Sequence, residues 1–243
     1  MSEALYMLRM RLDSRYLFRI GDRVLSHQPL DLGYLIHCAL RELFGDSAPA
    51  PFAIMGTQAS WLEVLGYSAQ PAEVLANHAP NRAPTGIRAM LDWNSFASKR
   101  MPDSFPEGTR LAFRVRACPV LRKSRGSTQF GPGAELDVFL AEVEKAGEGT
   151  TLDRQQIYAK WLSESISRSG GARCEGVHLA AMRRVRLVRR DDERKATAIE
   201  RPDVVFEGRI RVVNPEAFQG LLRRGIGRHR AFGFGMLLLR PGG

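Results

Sequence analysis

Three polar side chains recur along one face of a helix that the sequence predicts within residues 29–45. Apolar residues in PLDLGYLIHCALRELFG repeat at helical spacing and would face a core. Tyr34, His37 and Arg41 lie at i, i+3 and i+7, so they share the opposite face. A phenol, an imidazole and a guanidinium suit metal-free RNA cleavage, which needs two proton transfers and positive charge near a phosphorane. An ordinary solvated helix face can carry the same residues.

A basic hairpin is predicted around the DDER turn, where seven of residues 183–195 are Arg or Lys. Alternation places Arg184, Arg186 and Arg190 on one side with little acidic balance, which favours contact with a polyanion over a solvated strand face. The loop RKSRGS, residues 122–127, adds further positive charge. The candidate RNA contacts in these two stretches are Arg122, Lys123, Arg125, Arg184, Arg186, Arg189, Arg190 and Arg194.

A glycine-rich run, RRGIGRHRAFGFGMLLLRP, occupies residues 223–241. A dinucleotide-binding fingerprint requires strand, glycine loop and helix in that order, whereas here a predicted helix precedes the glycines. No GK[ST] follows, so a nucleotide cofactor is not expected. The run is predicted to be a tight helix-to-strand crossover whose backbone N–H groups also lie along a phosphate chain. The predicted contacts are Arg41 on the helix above and, in this run, Gly225, Gly227, Arg228, His229, Arg230, Gly233 and Gly235.

The charge of the chain is concentrated in its second half. The formal net charge is +10, yet residues 1–107 hold 10 Lys/Arg against 11 Asp/Glu. Residues 108–243 hold 26 against 15, and all but four of those basic residues are arginine. Arginine is suited to bidentate phosphate and base-edge contacts, so this half is expected to bind nucleic acid.

Cysteine and histidine spacing gives no sign of a metal site. Cys38, Cys118 and Cys174 form no CxxC pair, and the five histidines have no ligand spacing. We therefore expect no metal, no cofactor and no disulfide framework. Charges at Glu3, Arg9 and Arg11 argue against a signal peptide, and no apolar stretch is long enough to span a membrane. The sequence predicts a cytoplasmic protein.

The predicted elements that position these side chains follow the same order twice. In the second half, TRLAFRVRACPVL, VHLAAMRRVRLVRR, PDVVFEGRIRVV and GFGMLLLRP alternate as strands, and helical periods occupy AELDVFLAEVEKAG, LDRQQIYAKWLSESI and PEAFQGLLRR. Asn214, Pro215 and Gly225 are typical start and stop residues for the last helix. The result is a β-α-β-β-α-β order.

The first half repeats that order more weakly. Residues 4–14 and two short segments within 51–68 are predicted strands, PAEVLANHA is a short helix, and GIRAMLDWNSFAS, residues 86–98, is a fourth strand. The predicted architecture is α+β, with two tandem ferredoxin-like, RRM-like domains at residues 1–107 and 108–243. That fold binds many ligands and does not by itself identify the function.

Residues 204–241, VVFEGRIRVVNPEAFQGLLRRGIGRHRAFGFGMLLLRP, closely resemble the C-terminal signature of the CasE-type CRISPR repeat endoribonucleases, RAMP-superfamily subunits of type I-E Cascade. The signature joins a strand with FEG, a helix, GIG, a basic spacer and AFGFG. LAFRVRACPVLRK is similar to the opening strand of that family's second domain, and YLIHCAL is similar to its catalytic helix. The resemblance covers mainly the C-terminal domain.

The resemblance implies a metal-independent endoribonuclease that cuts precursor RNA at the 3′ base of the CRISPR repeat hairpin. It would leave 2′,3′-cyclic phosphate and 5′-hydroxyl ends and stay on the crRNA hairpin, with other Cascade subunits (the backbone and other RAMP proteins) as partners. By position, His37 matches the catalytic histidine and Tyr34 the tyrosine three residues earlier. Lys195 is the nearest match to a catalytic lysine, with Arg194 as a rival.

Departures from the family pattern leave alternatives open. The connection SRYLFRIGDRVLSHQ is long, and its Tyr16, Arg19, Arg23 and His27 are candidates for extra RNA contacts. The subtype, whether type I-E, type IV or a hybrid, stays open. A non-catalytic RAMP-type subunit that binds an RNA hairpin is the second hypothesis. An RRM-like factor for cellular RNA is disfavoured because no strand carries the RNP aromatic pattern.

Overall fold

The structure is a computed structural model that describes residues 4–24, 31–79, 83–122, 134–146, 150–190 and 196–242. For residues 20–24, 188–190 and 196–198 it describes the backbone only. Within these ranges, no helix is long and apolar enough to cross a membrane.

The N-terminal part of the chain forms an antiparallel sheet in the described residues, with the strand order β2-β3-β1-β4. This order, with helices between the first and second and the third and fourth strands, is the ferredoxin-like arrangement. The elements are β1 (Tyr6–Asp13), α1 (Ser14–Val24), α2 (Leu32–Phe44), β2 (Phe52–Gln58), β3 (Trp61–Ser68), α3 (Ala72–His78), α4 (Thr85–Arg88) and β4 (Ala97–Arg100).

The C-terminal part repeats this topology, with the strand order β10-β5-β9-β8 in its main sheet. Strands β8 and β9 are much longer than the others and pair along their whole length as an extended hairpin. A small additional sheet pairs β6 with β7. The elements are β5 (Arg110–Ala117), β6 (Val120–Arg122), β7 (Glu135–Asp137), α5 (Val138–Ala146), α6 (Arg154–Ser167), β8 (Ala172–Arg190), β9 (Ala196–Val212), α7 (Pro215–Arg224) and β10 (Leu238–Pro241).

The α+β class and the tandem ferredoxin-like topology are confirmed. The two main sheets draw their strands from either side of residues 107 and 108, while the bounds 1–107 and 108–243 stay a prediction. The predicted helix boundaries hold at α7, where Asn214 caps the N-terminus by accepting from the Ala217 N–H at 2.9 Å. Pro215 is its first residue, and Gly225 follows its end with φ of 69°.

Two predicted elements of the N-terminal part differ from the structure. The fourth strand predicted across residues 86–98 is wrong, because this segment begins as the short helix α4 and only Ala97 and Ser98 belong to β4. Its aromatic residues instead hold an irregular segment in place. The Trp93 indole N–H donates to the Arg88 carbonyl at 2.8 Å, and the Phe96 ring stacks on Phe44. The long connection after β1 contains an unpredicted helix, α1.

The two halves pack against each other through a shared core. Buried Tyr67 on β3 donates its hydroxyl to the Leu237 carbonyl at 2.8 Å, and the Phe105 ring meets Phe218 of α7 edge to face at 5.3 Å. The Gln219 amide on α7 also donates to the Pro102 carbonyl at 2.6 Å. These contacts fix α7 against the N-terminal part and so direct the glycine-rich segment that follows α7 towards α2.

Candidate active site

Helix α2 presents the predicted catalytic side chains from a firmly anchored backbone. The Asp31 carboxylate caps the helix by accepting from the Tyr34 N–H at 3.0 Å, and Gly45 ends it with φ of 60°. Its apolar face is buried in the N-terminal core, and the buried residues are Leu35, Ile36, Ala39, Leu40, Leu43 and Phe44. Tyr34 and His37 are half-buried on the other side, as the helical spacing predicts.

The glycine-rich segment folds back on itself after α7. The Ile226 N–H donates to the Gly235 carbonyl at 2.9 Å, and the Gly235 N–H donates to the Arg116 carbonyl of β5 at 2.7 Å. Gly235 has φ of 80°, and a Cβ there would lie 2.3 Å from the Ile226 carbonyl oxygen. The glycines therefore permit a close approach between two stretches of the protein's own backbone.

The tip of this segment contacts helix α2. Residues Arg230–Phe232 form a 3₁₀ turn, and the Phe232 ring lies 5.3 Å from the His37 ring in an edge-to-face orientation. The centroid of the same ring is 5.9 Å from that of Tyr34. A Cβ added at Gly33 would lie only 2.2 Å from the Phe232 carbonyl oxygen, so α2 and the turn meet backbone to backbone.

His229 ties the turn to the C-terminal part of the chain. Its ring is buried, with Nε2 3.0 Å from a carboxylate oxygen of Glu135, while Nδ1 has no hydrogen-bond partner among the described residues. Glu135 is itself buried and also pairs with Arg228 at 2.5 Å and Arg201 at 3.4 Å. His229 and Arg228, both predicted to contact RNA, are thus joined through their side chains to an internal carboxylate.

Burial sets the acid–base character of His37. Desolvation of the imidazole, and then the charge of Arg41 one turn later, hold the pKa of His37 below its usual 6.5. The ring is consequently neutral near neutral pH and able to accept a proton. The exposed Arg41 guanidinium also pairs with Asp46 at 2.9 Å.

A cleft of about 650 Å³ separates the start of α2 from the β8–β9 hairpin. Asp31, Leu32 and Gly33 line one side, and the hairpin segment around exposed Arg186 lines the other. The hairpin is braced at this point by a buried carboxylate, Asp203. The Arg116 guanidinium donates to its two oxygens at 2.7 and 3.0 Å, and Arg183 donates at 2.7 Å.

A second groove, of about 520 Å³, is lined in part by Phe232. It carries four arginines from the end of α7 and the segment that follows. Arg230 donates to the Arg224 carbonyl at 2.7 Å, which fixes the direction of its guanidinium. The lining residues are Ala50, Pro51, Arg223, Arg224, Gly227, Arg228, His229, Arg230, Ala231 and Phe232.

The structure thus gathers some predicted contacts around α2 and places others elsewhere. Arg184 is exposed on the hairpin and pairs with Glu200, whereas Arg122 lines a separate groove of about 790 Å³ beside α5 and α6. On α1, the Arg19 guanidinium lies 5.4 Å from the ring centre of Tyr16. Outside the described residues lie Lys123, Arg125, Arg194, Lys195 and His27, together with the side chains of Arg23, Arg189 and Arg190.

Several residues of this region carried no sequence signal of their role. Phe232 belongs to the AFGFG stretch, but nothing in its spacing indicates a partner on a helix almost two hundred residues earlier. Glu135 and Asp203 lie in segments that carry other acids as well, and nothing in the sequence distinguishes them from those neighbours. Their importance follows from burial beside several cations, which only the folded chain makes visible.

Comparisons with known proteins agree with this architecture. A family model described as CRISPR associated protein matches residues 5–241. A curated relative, CRISPR-associated endoribonuclease Cse3 of Thermus thermophilus, is 27% identical over 152 residues. That match covers 60% of this chain and 63% of the relative, which is less than two thirds of the relative's length.

Two solved structures show a similar fold along nearly the whole chain. One is CRISPR endoribonuclease Cse3 bound to a 19-nucleotide RNA, with a TM-score of 0.64, 22% identity and coverage of 98% of this chain and 100% of that chain. The other is a chain of a CRISPR RNA-guided surveillance complex, with a TM-score of 0.58, 16% identity and coverage of 97% and 99%.

Proposed function

The chain belongs to the CRISPR associated protein family, and we propose that it is a metal-independent endoribonuclease that processes CRISPR precursor transcripts. It binds the stem-loop of the repeat and cuts the RNA to leave 2′,3′-cyclic phosphate and 5′-hydroxyl ends. The observation that carries this proposal is the position of His37 and Tyr34. They are half-buried on a capped helix whose N-terminus shares a cleft with an arginine-bearing hairpin.

In the proposed reaction the 2′-hydroxyl of the nucleotide before the cut attacks the adjacent phosphorus. The neutral His37 ring accepts the hydroxyl proton, since its lowered pKa keeps the ring unprotonated and available near neutral pH. The bond from phosphorus to the 5′-oxygen breaks, and that oxygen takes up a proton from water. The protonated His37 ring returns its proton to the solvent, so the reaction consumes no net proton. Tyr34 orients the hydroxyl or the phosphate, and Lys195 or Arg194 stabilises the charge on the phosphorane.

The arginine hairpin is proposed to hold the stem of the repeat. The major groove of A-form RNA is narrow, so contacts to backbone and shape dominate recognition of a stem. Arg184 and Arg186 are exposed along β8, where they can follow such a backbone. The arginine groove beside Phe232 suits the strand near the cut, because it lies next to the helix with His37.

The decisive test is replacement of the proposed base. His37→Ala should lower single-turnover cleavage of the repeat hairpin in EDTA by about 10²- to 10⁴-fold, because a general acid–base group typically contributes that much. Hairpin affinity should barely change. The matched control is His78→Ala, which removes an exposed histidine from α3 and should leave both quantities unaltered. Unimpaired cleavage by the His37 variant would exclude the assignment.

The second candidate is a non-catalytic RAMP-type subunit that binds the RNA hairpin within a CRISPR effector complex. Its signature is tight hairpin binding with no cleavage by the wild-type protein in EDTA. Salt dependence alone does not separate the candidates, since each phosphate contact makes log affinity fall by about 0.7–0.9 per unit rise in log salt concentration in either case.

Assembly and location complete the proposal. The likeness to a chain of a CRISPR RNA-guided surveillance complex supports retention of the protein on the crRNA 3′ hairpin, together with other subunits of a Cascade-like complex. We place the protein in the cytoplasm. Co-purification of the tagged protein with cleaved repeat RNA and further subunits tests this part.

A further inference from the structure

We propose that Phe232 is a positioning residue for His37 and Tyr34, delivered to helix α2 by the glycine-rich segment; this inference rests on the proposed function. The phenyl ring does not contact RNA in this role. It acts through the two rings that do, by restricting their rotation and covering them on one side.

The geometry of the three rings supports this role. The Phe232 and His37 rings meet edge to face with an interplanar angle of 84° and a centroid distance of 5.3 Å. The Tyr34 ring is tilted by 41° against the same phenyl ring at 5.9 Å. Such arrangements favour one mutual orientation, so a single phenyl ring orders both side chains.

The turn that carries Phe232 is held from two directions. On one side, its carbonyl oxygen lies so close to Gly33 that no side chain fits between α2 and the turn. On the other side, the Phe232 N–H donates to the His229 carbonyl at 2.8 Å, and the His229 ring is anchored on buried Glu135. His229 adopts a left-handed conformation with φ of 60°, which starts the turn in the required direction.

Phe232 differs from a residue that only fills the core. Its neighbour Phe234 is completely buried, packed with Cys118 and Leu187, whereas Phe232 packs against the outside of that cluster and is only half-buried at the edge of the arginine groove. A half-buried phenyl ring at the border of a cleft, in contact with two candidate catalytic rings, is placed for their orientation.

Among the described residues, the charged groups near His37 come from its own helix and from the turn that carries Phe232. Arg41 on α2 is the cation whose charge acts on the imidazole. From the turn, the Arg230 guanidinium is engaged by the Arg224 carbonyl, and His229 faces Glu135. Removal of the phenyl ring therefore changes mainly the exposure of the imidazole to water.

The test uses the full chain with Phe232→Leu and Phe232→Ala. The first readout is the pKa of His37 in the RNA-free protein, measured by NMR titration. Because burial is the largest cause of its lowered pKa, the value should rise towards 6.5 in the Ala variant and less in the Leu variant. The second readout is single-turnover cleavage, which should fall by about 10²-fold, the loss expected for a misplacement of about 1 Å.

The matched control is Phe96→Leu, which alters an aromatic partner of Phe44 at the other end of α2. It should leave the pKa of His37, the cleavage rate and the hairpin affinity unchanged. The Phe232 variants should retain hairpin affinity, and their rate-against-pH profiles should move with the pKa.

An unchanged pKa of His37 in Phe232→Ala would overturn the proposal, as would a raised pKa with undiminished cleavage. If the wild-type protein binds the hairpin without cutting it, the proposed endoribonuclease activity fails. The titration then still decides whether Phe232 sets the environment of His37. If the Ala variant does not fold, the Leu variant carries the same two readouts.

Discussion

Replacement of Gly33 by alanine tests the contact between helix α2 and the glycine-rich segment without removing any side chain. A methyl group there would lie 2.2 Å from the carbonyl oxygen and 2.9 Å from the carbonyl carbon of Phe232. Ordinary contact begins at about 3.4 Å, so the turn must retreat by about 1 Å. Both obstructing atoms belong to the backbone, so no side-chain rotation relieves the clash.

Opposing effects on the free energy of unfolding set the expected magnitude. Alanine in place of glycine within a helix stabilises by up to about 1 kcal/mol. Overpacking of a tight site destabilises by about 1–3 kcal/mol. The Gly33→Ala variant should therefore be less stable than the wild type by about 0–2 kcal/mol. For a chain of this size each 1 kcal/mol lowers Tm by about 2–4 °C.

The matched control is Gly86→Ala in the short helix α4, where an added Cβ meets no atom within 4 Å. This variant should be as stable as the wild type or slightly more stable. The free energies of unfolding of the two variants should differ by about 1–3 kcal/mol, measured by calorimetry under identical conditions. Cleavage by Gly33→Ala should also fall by about 10²-fold, since Phe232 is displaced from His37 by about 1 Å.

The reasoning fails if Gly33→Ala is stabilised as much as Gly86→Ala. That result would mean that the turn does not press on α2. Loss of stability with full cleavage would mean that the contact holds the fold together but does not order the two candidate catalytic rings.

Other predictions concern charge and burial. Arg41→Gln should raise the pKa of His37 in an NMR titration, by less than Phe232→Ala does, because burial is the larger cause of its depression. Burial alone would raise the pKa of the Asp203 carboxyl. The hydrogen bonds and charges of two arginines outweigh burial and hold that pKa below 3.8. Its stabilising contribution is therefore complete above pH 3.8 and lost as the pH falls through the lower folded value. Asp203→Asn should lower the free energy of unfolding by about 3–5 kcal/mol at pH 7, measured by denaturant unfolding. It should also make the free energy of unfolding depend less on pH in the acid range. Tyr67→Phe should lower the free energy of unfolding by about 1 kcal/mol, measured as a lower Tm. The loss should reach about 3 kcal/mol if the buried Leu237 carbonyl finds no other hydrogen-bond donor.

Local patterns were sufficient to predict most of the fold. Alternating residues indicate β5, β8 and β9, and the cap residues of α7 indicate its bounds. Strands β8 and β9 each begin several residues before the predicted stretches, and β5 ends earlier than predicted. The fourth strand of the N-terminal sheet was misplaced because Met90 is buried in a turn and Leu91 forms only an isolated bridge with Leu12. The spacing of apolar residues indicates that they are buried, but it does not distinguish a buried turn from a buried strand.

The candidate site could be predicted only in part. The helical spacing of Tyr34 and His37 depends on a single element, so the sequence alone places them together. Phe232 and Gly33 meet across the two halves of the chain, and their contact depends on how α7 packs against β3. Glu135 acts within the C-terminal half, where it pairs with residues far along the chain. Packing between segments that are far apart in the chain produces no periodic pattern in the sequence.

The contact between Phe232 and α2 also orders events during synthesis. The ribosome adds Phe232 195 residues after His37, which takes on the order of 10–40 s at ordinary elongation rates. During that interval the N-terminal half can fold with its histidine and tyrosine in place but without the ring that orients them. Under the proposed function, the nascent chain is a poor nuclease until translation has passed its arginine-rich half, so RNA binding and RNA cleavage arise together.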